Sequence, residues 1–334
     1  MKPPGPALQA ARVSGYLART LRPAPPGFVF IEPTNRCNLS YPMCSRDPVK
    51  RPAGFMDMGA FDSIAEQLIA IRPPLVTLHL AGEPMLHPGL FDMVKRFSSA
   101  GIDTTFSTNG TLLAGTDPDV VFESGLTSMR FDFTPDRQRF EEIRRGASWE
   151  SVRDGMAGLL AARRARGLCR PVIVLNDLGN GDCNRRTPRE DWTGLFDGCV
   201  PDVIEPFQAH EWAGSFPENP HEDCPFELPA RTGRPKACSL LWFSTVIAWD
   251  GRVLPCCRDL NAEHPLGAVS HTHTHTHKLL CRRSGVAGRI VRSGACTARD
   301  GSARSRFAAP APGPGRRRVF SAAQSGSCAW LSAG

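Results

Sequence analysis

The chain has 334 residues, of which 41% are hydrophobic and 22% are charged, a composition that excludes a fully disordered protein. Its net charge of +7 arises at the C-terminal end: residues 281–334 carry ten Arg and one acidic residue, whereas residues 1–280 carry 30 basic and 32 acidic residues. The nearly neutral body argues against a nucleic-acid-binding surface there. No apolar run reaches about 18 residues, which excludes a transmembrane helix.

The N-terminal segment, residues 1–27, is Pro-rich and basic, and Arg12, Arg19 and Arg22 interrupt its apolar stretches. A secretory signal needs an uninterrupted apolar core. We therefore predict a short amphipathic helix packed on the main domain, with a contact to a partner or a membrane surface as the alternative. Without an export signal we expect a cytoplasmic protein whose cysteines are metal ligands or buried thiols rather than disulfides.

The middle of the chain alternates apolar runs of strand length with helix-like stretches. This alternation indicates a parallel sheet or barrel, in which the chemistry lies at the carboxyl ends of the strands. The predicted strands are Phe28–Glu32, Leu75–Ala81, Asp103–Ser107, Met129–Phe133, Val172–Asn176 and Val203–Phe207. The predicted helices are Phe61–Ile71, Leu90–Ser99, Val120–Glu123 and Ser148–Arg166.

Small and polar residues gather at the ends of the first four predicted strands. In chain order they are residues 33–44 (PTNRCNLSYPMC), Gly82-Glu83-Pro84, Ser107-Thr108-Asn109-Gly110, and Asp132 with Thr134. Because parallel strands end at the same edge of a sheet, we expect these residues to surround one ligand lying across the mouth of a barrel.

The text EPTNRCNL followed by PMC resembles the radical SAM superfamily, and its SPASM-containing branch in particular, over about residues 28–257. The resemblance implies an α/β fold with a partial (β/α)6 TIM-like barrel, followed by a truncated Cys-rich SPASM-like β-hairpin region. It also implies a [4Fe–4S] cluster whose open iron chelates S-adenosylmethionine. The implied activity is that of an oxidoreductase or maturase: S-adenosylmethionine is cleaved reductively to a 5′-deoxyadenosyl radical that abstracts hydrogen from its substrate.

The first loop departs from the family pattern of three Cys ligands. Cys37 and Cys44 stand at the outer positions, whereas Tyr41 stands at the middle one. A phenolate is bulkier and harder than a thiolate, so we expect this loop to hold a cubane cluster poorly. One base change converts a Cys codon into a Tyr codon. An inactive pseudoenzyme or a pseudogene product is therefore the alternative to a working enzyme.

The resemblance also implies which residues bind S-adenosylmethionine. The implied set is Gly82, Glu83, Pro84, Ser107, Asn109, Asp132 and Thr134. The Glu83 turn resembles the family's Gly-Gly-Glu-Pro turn, with Ala81 at its first Gly, and would meet the amino group of the cofactor. The last two residues stand where relatives keep polar side chains near the ribose. Taken alone, these residues also fit strand-end turns and ordinary polar groups at a barrel mouth.

A second Cys region contains Cys224, Cys238, Cys256 and Cys257. From Cys238, twelve residues lead to Gly251 and four more lead to Cys256, and the text between them indicates a β-hairpin turning at Asp250-Gly251. This spacing resembles the SPASM extension. It implies that Cys224, Cys238 and Cys256 hold an auxiliary [4Fe–4S] cluster. Because successive side chains of a strand alternate in direction, we expect Cys257 to point away. A zinc site or buried thiols are the alternatives.

The family-like text ends near residue 267, and alternating His and Thr fill residues 271–277. Repeated CACACA encodes such a run and slips during replication, so we interpret residues 281–334, rich in Arg, Ala, Gly and Ser, as a frameshifted, disordered tail. A metal-binding His run or an RNA-binding Arg cluster is the alternative. The predicted parts are an extension (1–27), a partial barrel (28–215), a partial SPASM region (216–270) and the tail (271–334).

The expected substrate is a peptide or a small molecule, and the expected electron donor is a flavodoxin or a ferredoxin. The first 27 residues are too few for a winged-helix leader-binding domain, so a peptide substrate is expected to need a separate recognition partner. His210, Glu211 and Trp212 follow the sixth predicted strand and are proposed to contact the substrate, with a packed loop as the alternative. A zinc-stapled binding protein without redox activity is a further alternative.

Overall fold

The structure is a computed structural model that describes residues 10–11, 13–14, 26–40, 49–177, 189–196, 198–206 and 240–269. The strands in these ranges are β1 Phe28–Ile31, β2 Leu75–Thr77, β3 Asp103–Thr108, β4 Ser128–Phe133, β5 Val172–Asp177, β6 Val203–Pro206, β7 Ser244–Ile247, β8 Arg252–Leu254 and β9 Gly267–Ala268. They form one sheet in the order β6-β5-β4-β3-β2-β1-β7-β8-β9. Neighbours from β6 to β7 are parallel, and the two remaining pairs are antiparallel.

Helices connect most of the parallel strands. They are α1 Met58–Ile71, α2 Leu90–Ser99, α3 Pro118–Glu123, α4 Arg137–Ile143, α5 Trp149–Ala165, α6 Arg189–Leu195 and α7 Leu240–Phe243, with short 3-10 helices at Pro84–Leu86 and Leu113–Gly115. Side-chain oxygens of Asp57, Asp117, Asp136 and Ser148 accept hydrogen bonds from the first turns of α1, α3, α4 and α5. These caps satisfy backbone N–H groups that lack a partner within the helix.

Strand β4 shows how the sequence gives the sheet two different faces. Met129, Phe131 and Phe133 are buried, whereas the alternate residues Ser128, Arg130 and Asp132 are partly exposed. Successive side chains of a strand point to opposite faces, so the apolar set packs under the helices and the polar set lies on the other face. We call this other face the polar face of the sheet.

The core beneath the helices is aromatic where β4 meets α5 and α6. The Phe133 ring stacks on Trp149 with a centroid distance of 5.7 Å and lies 5.0 Å from Phe140. It also lies 6.4 Å from Trp192, whose ring stacks on Phe196. Such contacts fix the carboxyl end of β4, and with it Asp132, relative to the flanking helices.

The C-terminal described segment extends the same sheet. Strand β7 pairs in parallel with β1, and β8 returns antiparallel to β7. The connecting turn contains Gly251 with φ 80°, a left-handed conformation that favours glycine. The hairpin predicted at Asp250-Gly251 is therefore confirmed, and its first strand occupies the outer edge of β1.

The predicted parallel α/β arrangement is confirmed, and the sheet in the described residues is open, as a partial barrel requires. All six predicted strands are present, and Leu90–Ser99 matches α2 at both ends. Helix α1 begins three residues before the predicted start because Asp57 caps it. The helices α4, α6 and α7, each of seven residues or fewer, were not predicted.

Two further findings concern the chain as a whole. Cys169, between α5 and β5, is disulfide-bonded, so the expectation that the cysteines are ligands or thiols is wrong for this residue. Among the described residues, no helix combines the length and the apolar character needed to cross a bilayer.

Candidate functional site

Three loops meet at the carboxyl ends of β1, β2 and β3. A Cβ atom on Gly82 would come within 2.8 Å of backbone atoms of Thr34, Asn35 and Arg36, so the turn after β2 packs directly against the first loop. The backbone N–H of Glu83 donates to the Arg36 carbonyl over 2.8 Å. Only glycine allows this close approach, which fixes the turn beside the residues that precede Cys37.

Glu83 is a buried acid at the centre of these loops, with 3% of its surface exposed. Its Oε1 accepts from the Thr108 hydroxyl at 2.7 Å and from Met85 N at 3.0 Å, and its Oε2 accepts from Asn109 N at 2.7 Å. Burial raises the pKa of Glu83, and the three hydrogen bonds and the charge of Arg144 oppose that rise. Neutral groups thus satisfy this carboxylate, and no described residue forms an ion pair with it.

Asn109 connects the loop after β3 with the first loop. Its Nδ2 donates to Asn38 Oδ1 over 2.9 Å and lies 3.9 Å from the sulfur of Cys37. Its Oδ1 accepts from the backbone and the hydroxyl of Thr111 at 3.0 and 2.7 Å, and that hydroxyl also accepts from Asn38. The structure therefore brings Cys37, Glu83 and Asn109 together, as expected for strand ends that share one edge.

A buried cation lies beside this pocket. Arg144, which follows α4, donates from Nη2 to Asp132 Oδ2 over 2.7 Å. The other oxygen of Asp132 accepts from Asn176 Nδ2 at 2.6 Å, so neighbouring elements hold the carboxylate in one orientation. Asp132 was a predicted site residue, whereas Arg144 was not, because the short helix before it gives no signal in the sequence.

Ser107 lies on the polar face, and its backbone N–H donates to His79 Nδ1 over 3.1 Å. This bond places the ring proton of a neutral His79 on Nε2. The ring packs edge-to-face on Phe30 with a centroid distance of 5.9 Å. Burial, with the charge of Arg130, lowers the pKa of His79 to about 4, so the ring is neutral at neutral pH. His79 was not predicted as a site residue.

The remaining predicted cofactor residues differ in accessibility. Pro84 is buried in the 3-10 helix that continues the Glu83 turn. Thr134 is fully buried, and its carbonyl oxygen accepts from the indole N–H of Trp149 over 3.0 Å. The backbone of Thr134 therefore contacts the first residue of α5, and its side chain is shielded from solvent.

In the second Cys region, Cys256 follows β8 and is 1% exposed. Its carbonyl oxygen accepts from Asp259 N over 3.2 Å, which closes a tight turn. The neighbouring Cys257 is half-buried and packs against a small apolar cluster that includes Val246 and Leu254. The described ranges contain no group of three or more His, Cys, Asp or Glu side chains placed to hold a metal ion.

Two family models match the chain. The model of the radical SAM superfamily matches residues 31–174, and the model of SPASM, an iron–sulfur cluster-binding domain, matches residues 238–276. Together they cover more than half of the 334 residues and include Cys37, Glu83 and Cys256. The chain contains a radical SAM domain over residues 31–174 and a SPASM domain over residues 238–276. The SPASM match agrees with the branch predicted from the sequence.

Two curated relatives share part of this radical SAM chain. A tungsten-containing aldehyde ferredoxin oxidoreductase cofactor-modifying protein of Pyrococcus furiosus is 35% identical over 88 residues, which are 26% of this chain and 24% of that protein. The PqqA peptide cyclase of Gluconobacter oxydans is 29% identical over 113 residues, which are 33% of this chain and 31% of that protein. The matches thus span no more than about a third of either relative.

Solved structures of similar fold cover more of the chain. A structure of anSMEcpe with bound AdoMet gives a TM-score of 0.53 at 14% identity, covering 78% of this chain and 82% of that chain. A structure of Streptococcus suis SuiB bound to the precursor peptide SuiA gives 0.51 at 12% identity, covering 81% and 67%. At these identities the likeness concerns the fold.

The cofactors of the superfamily are S-adenosylmethionine and a [4Fe–4S] cluster. The residues of this chain fit the first cofactor better than the second. Glu83 offers a buried carboxylate with neutral partners, which suits an ammonium group. The first loop offers the thiolates of Cys37 and Cys44 and the phenol of Tyr41, which do not fit a cluster site built from three thiolates.

Several predicted site residues lie outside the described residues. They are Tyr41, Cys44, His210, Glu211, Trp212, Cys224 and Cys238, together with the His–Thr run and the tail. Their predicted roles stay predictions. Of the predicted metal ligands, the structure describes Cys37 at the first loop and Cys256 after β8.

Proposed function

We propose that this chain binds S-adenosylmethionine at the Glu83 turn and acts as an oxidoreductase or maturase of the radical SAM type. The observation that carries the proposal is Glu83 itself, a buried carboxylate held by three neutral donors. A buried charge is costly without a counter-ion, and the ammonium group of S-adenosylmethionine would supply one. The resemblance of this turn to the family's Gly-Gly-Glu-Pro turn supports the same assignment.

Asp132 is proposed to accept hydrogen bonds from the ribose of the cofactor. Arg144 and Asn176 hold its two oxygens, so its remaining lone pairs have fixed directions. Ser107 and Asn109 are proposed to line the floor between Glu83 and Asp132, because β3 lies between β2 and β4. Thr134 is left out of this proposed set because it is fully buried.

The substrate is proposed to be a peptide or a small molecule that faces the polar face of the sheet. Arg130 and Glu205 form an ion pair at 3.1 Å there, and both side chains are partly exposed. Two of the similar proteins have peptides in their names or titles, namely the PqqA peptide cyclase and SuiB with SuiA. A flavodoxin or ferredoxin is proposed as the electron donor, in the cytoplasm.

The first loop favours a second candidate. Tyr41 leaves two thiolates where the family has three, so no step through a cluster at this loop is part of the proposal for the native chain. The second candidate is a pseudoenzyme that binds S-adenosylmethionine at the same turn without cleaving it. Both candidates share the Glu83 pocket and differ in their iron content and in their products.

Anaerobic iron–sulfur reconstitution of the full chain and its Tyr41→Cys variant tests these candidates. The matched control is Tyr16→Cys, the same substitution at the only other Tyr of the sequence. We would measure iron and zinc per chain, visible absorbance, binding of S-adenosylmethionine, and release of 5′-deoxyadenosine from it under reducing conditions.

We expect Tyr41→Cys alone to gain a cluster's worth of iron and to release 5′-deoxyadenosine. Release of 5′-deoxyadenosine by the native chain would show that a working cluster assembles with Tyr41 present, and it would contradict the pseudoenzyme candidate. Failure of all three proteins to bind S-adenosylmethionine would overturn the proposed function. A colourless protein that contains zinc would favour the zinc-stapled alternative for the second Cys region.

A further inference from the structure

A buried ion pair connects β1 with the segment that follows the first loop. Glu32, directly after β1, accepts from Arg51 Nη1 at 2.9 Å and from Nη2 at 2.8 Å, and the two side chains are 0% and 2% exposed. The fork-to-fork geometry gives direction as well as charge neutralisation. Neither residue belongs to the pocket around Glu83.

The same two side chains also reach the C-terminal hairpin. Arg51 Nε donates to the carbonyl oxygen of Leu260, and Glu32 Oε2 accepts from Trp249 N at 3.1 Å. Lys50 N adds a bond to Asn261 Oδ1 at 2.7 Å. The Arg51–Glu32 ion pair thus bonds directly to Leu260 and Trp249, residues 209 and 217 positions further along the chain from Arg51 and Glu32, respectively.

Residues 49–56, which we call the return segment, are fixed on their other side as well. Asn35 donates to the Pro52 carbonyl at 2.9 Å and accepts from Gly54 N at 2.8 Å. The Trp249 indole packs so closely on Gly54 that a Cβ atom there would lie within 2.7 Å of three ring atoms. The return segment is therefore held between the start of the first loop and the hairpin.

Residues 255–262, which we call the Cys256 turn, receive the bond from Arg51. Asp259 N donates to the Cys256 carbonyl at 3.2 Å, and Ala262 N donates to the Asp259 carbonyl at 3.1 Å. Leu260 thus belongs to the same hydrogen-bonded unit as Cys256. A displacement of the guanidinium would free the carbonyl of Leu260 and loosen this unit.

We propose that Arg51 is a positioning residue that orders the Cys256 turn against the return segment of the first loop, so that the two Cys regions become ordered together. The role depends on the fork of the guanidinium, because Glu32 and Leu260 are bonded at the same time through different nitrogens. A lysine has one ammonium group and lacks that geometry. Any effect on a cluster in the SPASM region rests on the proposed function, whereas the ordering of the metal-free turn does not.

A second bidentate Arg–carboxylate pair, near strand β6 at the other end of the sheet, provides a matched control. Arg163 forms a bidentate pair with Asp202 and also donates to the carbonyl of Pro171, and the side chains are 11% and 22% exposed. Cys199 lies three residues before Asp202 and is half-buried. Its alkylation rate therefore measures local order around the Arg163–Asp202 pair, as that of Cys256 measures local order around the Arg51–Glu32 pair.

The test is thiol alkylation of the full-length, metal-free chain, with the rate at each cysteine measured by peptide mass spectrometry. The variants are Arg51→Lys, Arg51→Met and the control Arg163→Lys. We expect alkylation of Cys256 to accelerate roughly tenfold or more in both Arg51 variants, because one partner of a buried pair has been lost. The rate at Cys199 is expected to stay unchanged in these variants and to rise in Arg163→Lys.

Three results would overturn the proposal. Unchanged protection of Cys256 in Arg51→Met would show that Arg51 does not order the turn. Native protection in Arg51→Lys would show that charge suffices without the fork. Equal acceleration at Cys199 and Cys256 would show a loss of global stability instead of local ordering. Binding of S-adenosylmethionine is a separate readout, and a chain that does not bind it contradicts the proposed function and leaves the alkylation result intact.

Discussion

Glu32 and Glu83 are both buried acids in the loops that follow two neighbouring parallel strands, and their charges are satisfied in opposite ways. Glu32 is neutralised by the Arg51 guanidinium and receives a further bond from a backbone N–H. Glu83 receives three bonds from neutral donors, and burial raises its pKa. The first carboxylate has its counter-ion within the fold, whereas the second forms no ion pair with any described residue.

This difference supports the proposed roles of the two residues, Glu32 as a structural acid and Glu83 as a ligand-binding acid. A charge paired inside the chain contributes to stability and specificity, and its removal exposes the partner's charge to a medium that solvates it poorly. A charge held by neutral groups keeps part of its desolvation cost until a ligand binds. Substitution of Glu32 should therefore mainly lower the free energy of unfolding, whereas substitution of Glu83 should mainly weaken ligand binding.

The largest expected effect is on the free energy of unfolding in Glu32→Gln. The substitution leaves Arg51 buried without its carboxylate and should destabilise the chain by about 3–5 kcal/mol. Glu83→Gln should cost less, about 1–2 kcal/mol, because the amide removes a buried charge and leaves only one of the three donors without an acceptor. Urea unfolding of the two metal-free variants at neutral pH would measure both values. Equal losses would show that the two acids do not differ in role.

The second expected effect is on the affinity for S-adenosylmethionine, measured by calorimetry. Glu83→Gln should weaken binding about 10- to 100-fold, the range for a hydrogen bond to a charged group. The exposed acid Glu263 provides the control, and Glu263→Gln should bind as the native chain does. Retained affinity in Glu83→Gln would remove Glu83 from the proposed site.

The same carboxylate gives binding and stability opposite dependences on pH. Because the pKa of Glu83 is raised in the folded chain, its contribution to stability is present below its ordinary pKa and is lost as pH rises through the raised value. Affinity for an ammonium group should instead fall as pH decreases through the raised value. Glu83→Gln should abolish both dependences.

The last expected effect comes from His79, which accepts from Ser107 N and packs on Phe30. Its pKa is lowered from 6.5 to about 4, so the unfolded chain binds the proton more readily than the folded chain. Stability should therefore fall as pH decreases from 6.5 towards 4, by about 1 kcal/mol per pH unit at most. His79→Gln should reduce this slope, as followed by unfolding at several pH values. An unchanged slope would assign the pH dependence to other groups.

The sequence predicted the parallel part of the fold well because each strand can be recognised from the pattern of its own residues. Apolar runs such as that of β4 end in polar residues, and the parallel arrangement then places those ends at one edge. The position of β7 beside β1 was not predicted, since nothing local to residues 244–247 indicates which edge of the sheet they join.

The candidate site was predicted where it consists of strand ends and was missed where it depends on distant partners. Glu83 and Asn109 stand in short motifs, so the sequence revealed them. Arg51 and Arg144 follow segments without a regular pattern, and each acquires its role through a partner on another element. A residue type alone does not reveal such pairing, because most Arg side chains lie on the surface.

The pairing of β7 with β1 has a consequence for how the chain is made. The outer edge of β1 stays unpaired until residues 244–247 have been synthesised, after more than 200 further residues. During that interval the nascent chain presents an open strand edge, which is a template for association with other chains. A polypeptide that ends before Ser244 would carry this edge permanently. We expect its recovery in the soluble fraction to depend on chaperones, whatever chemistry the completed protein performs.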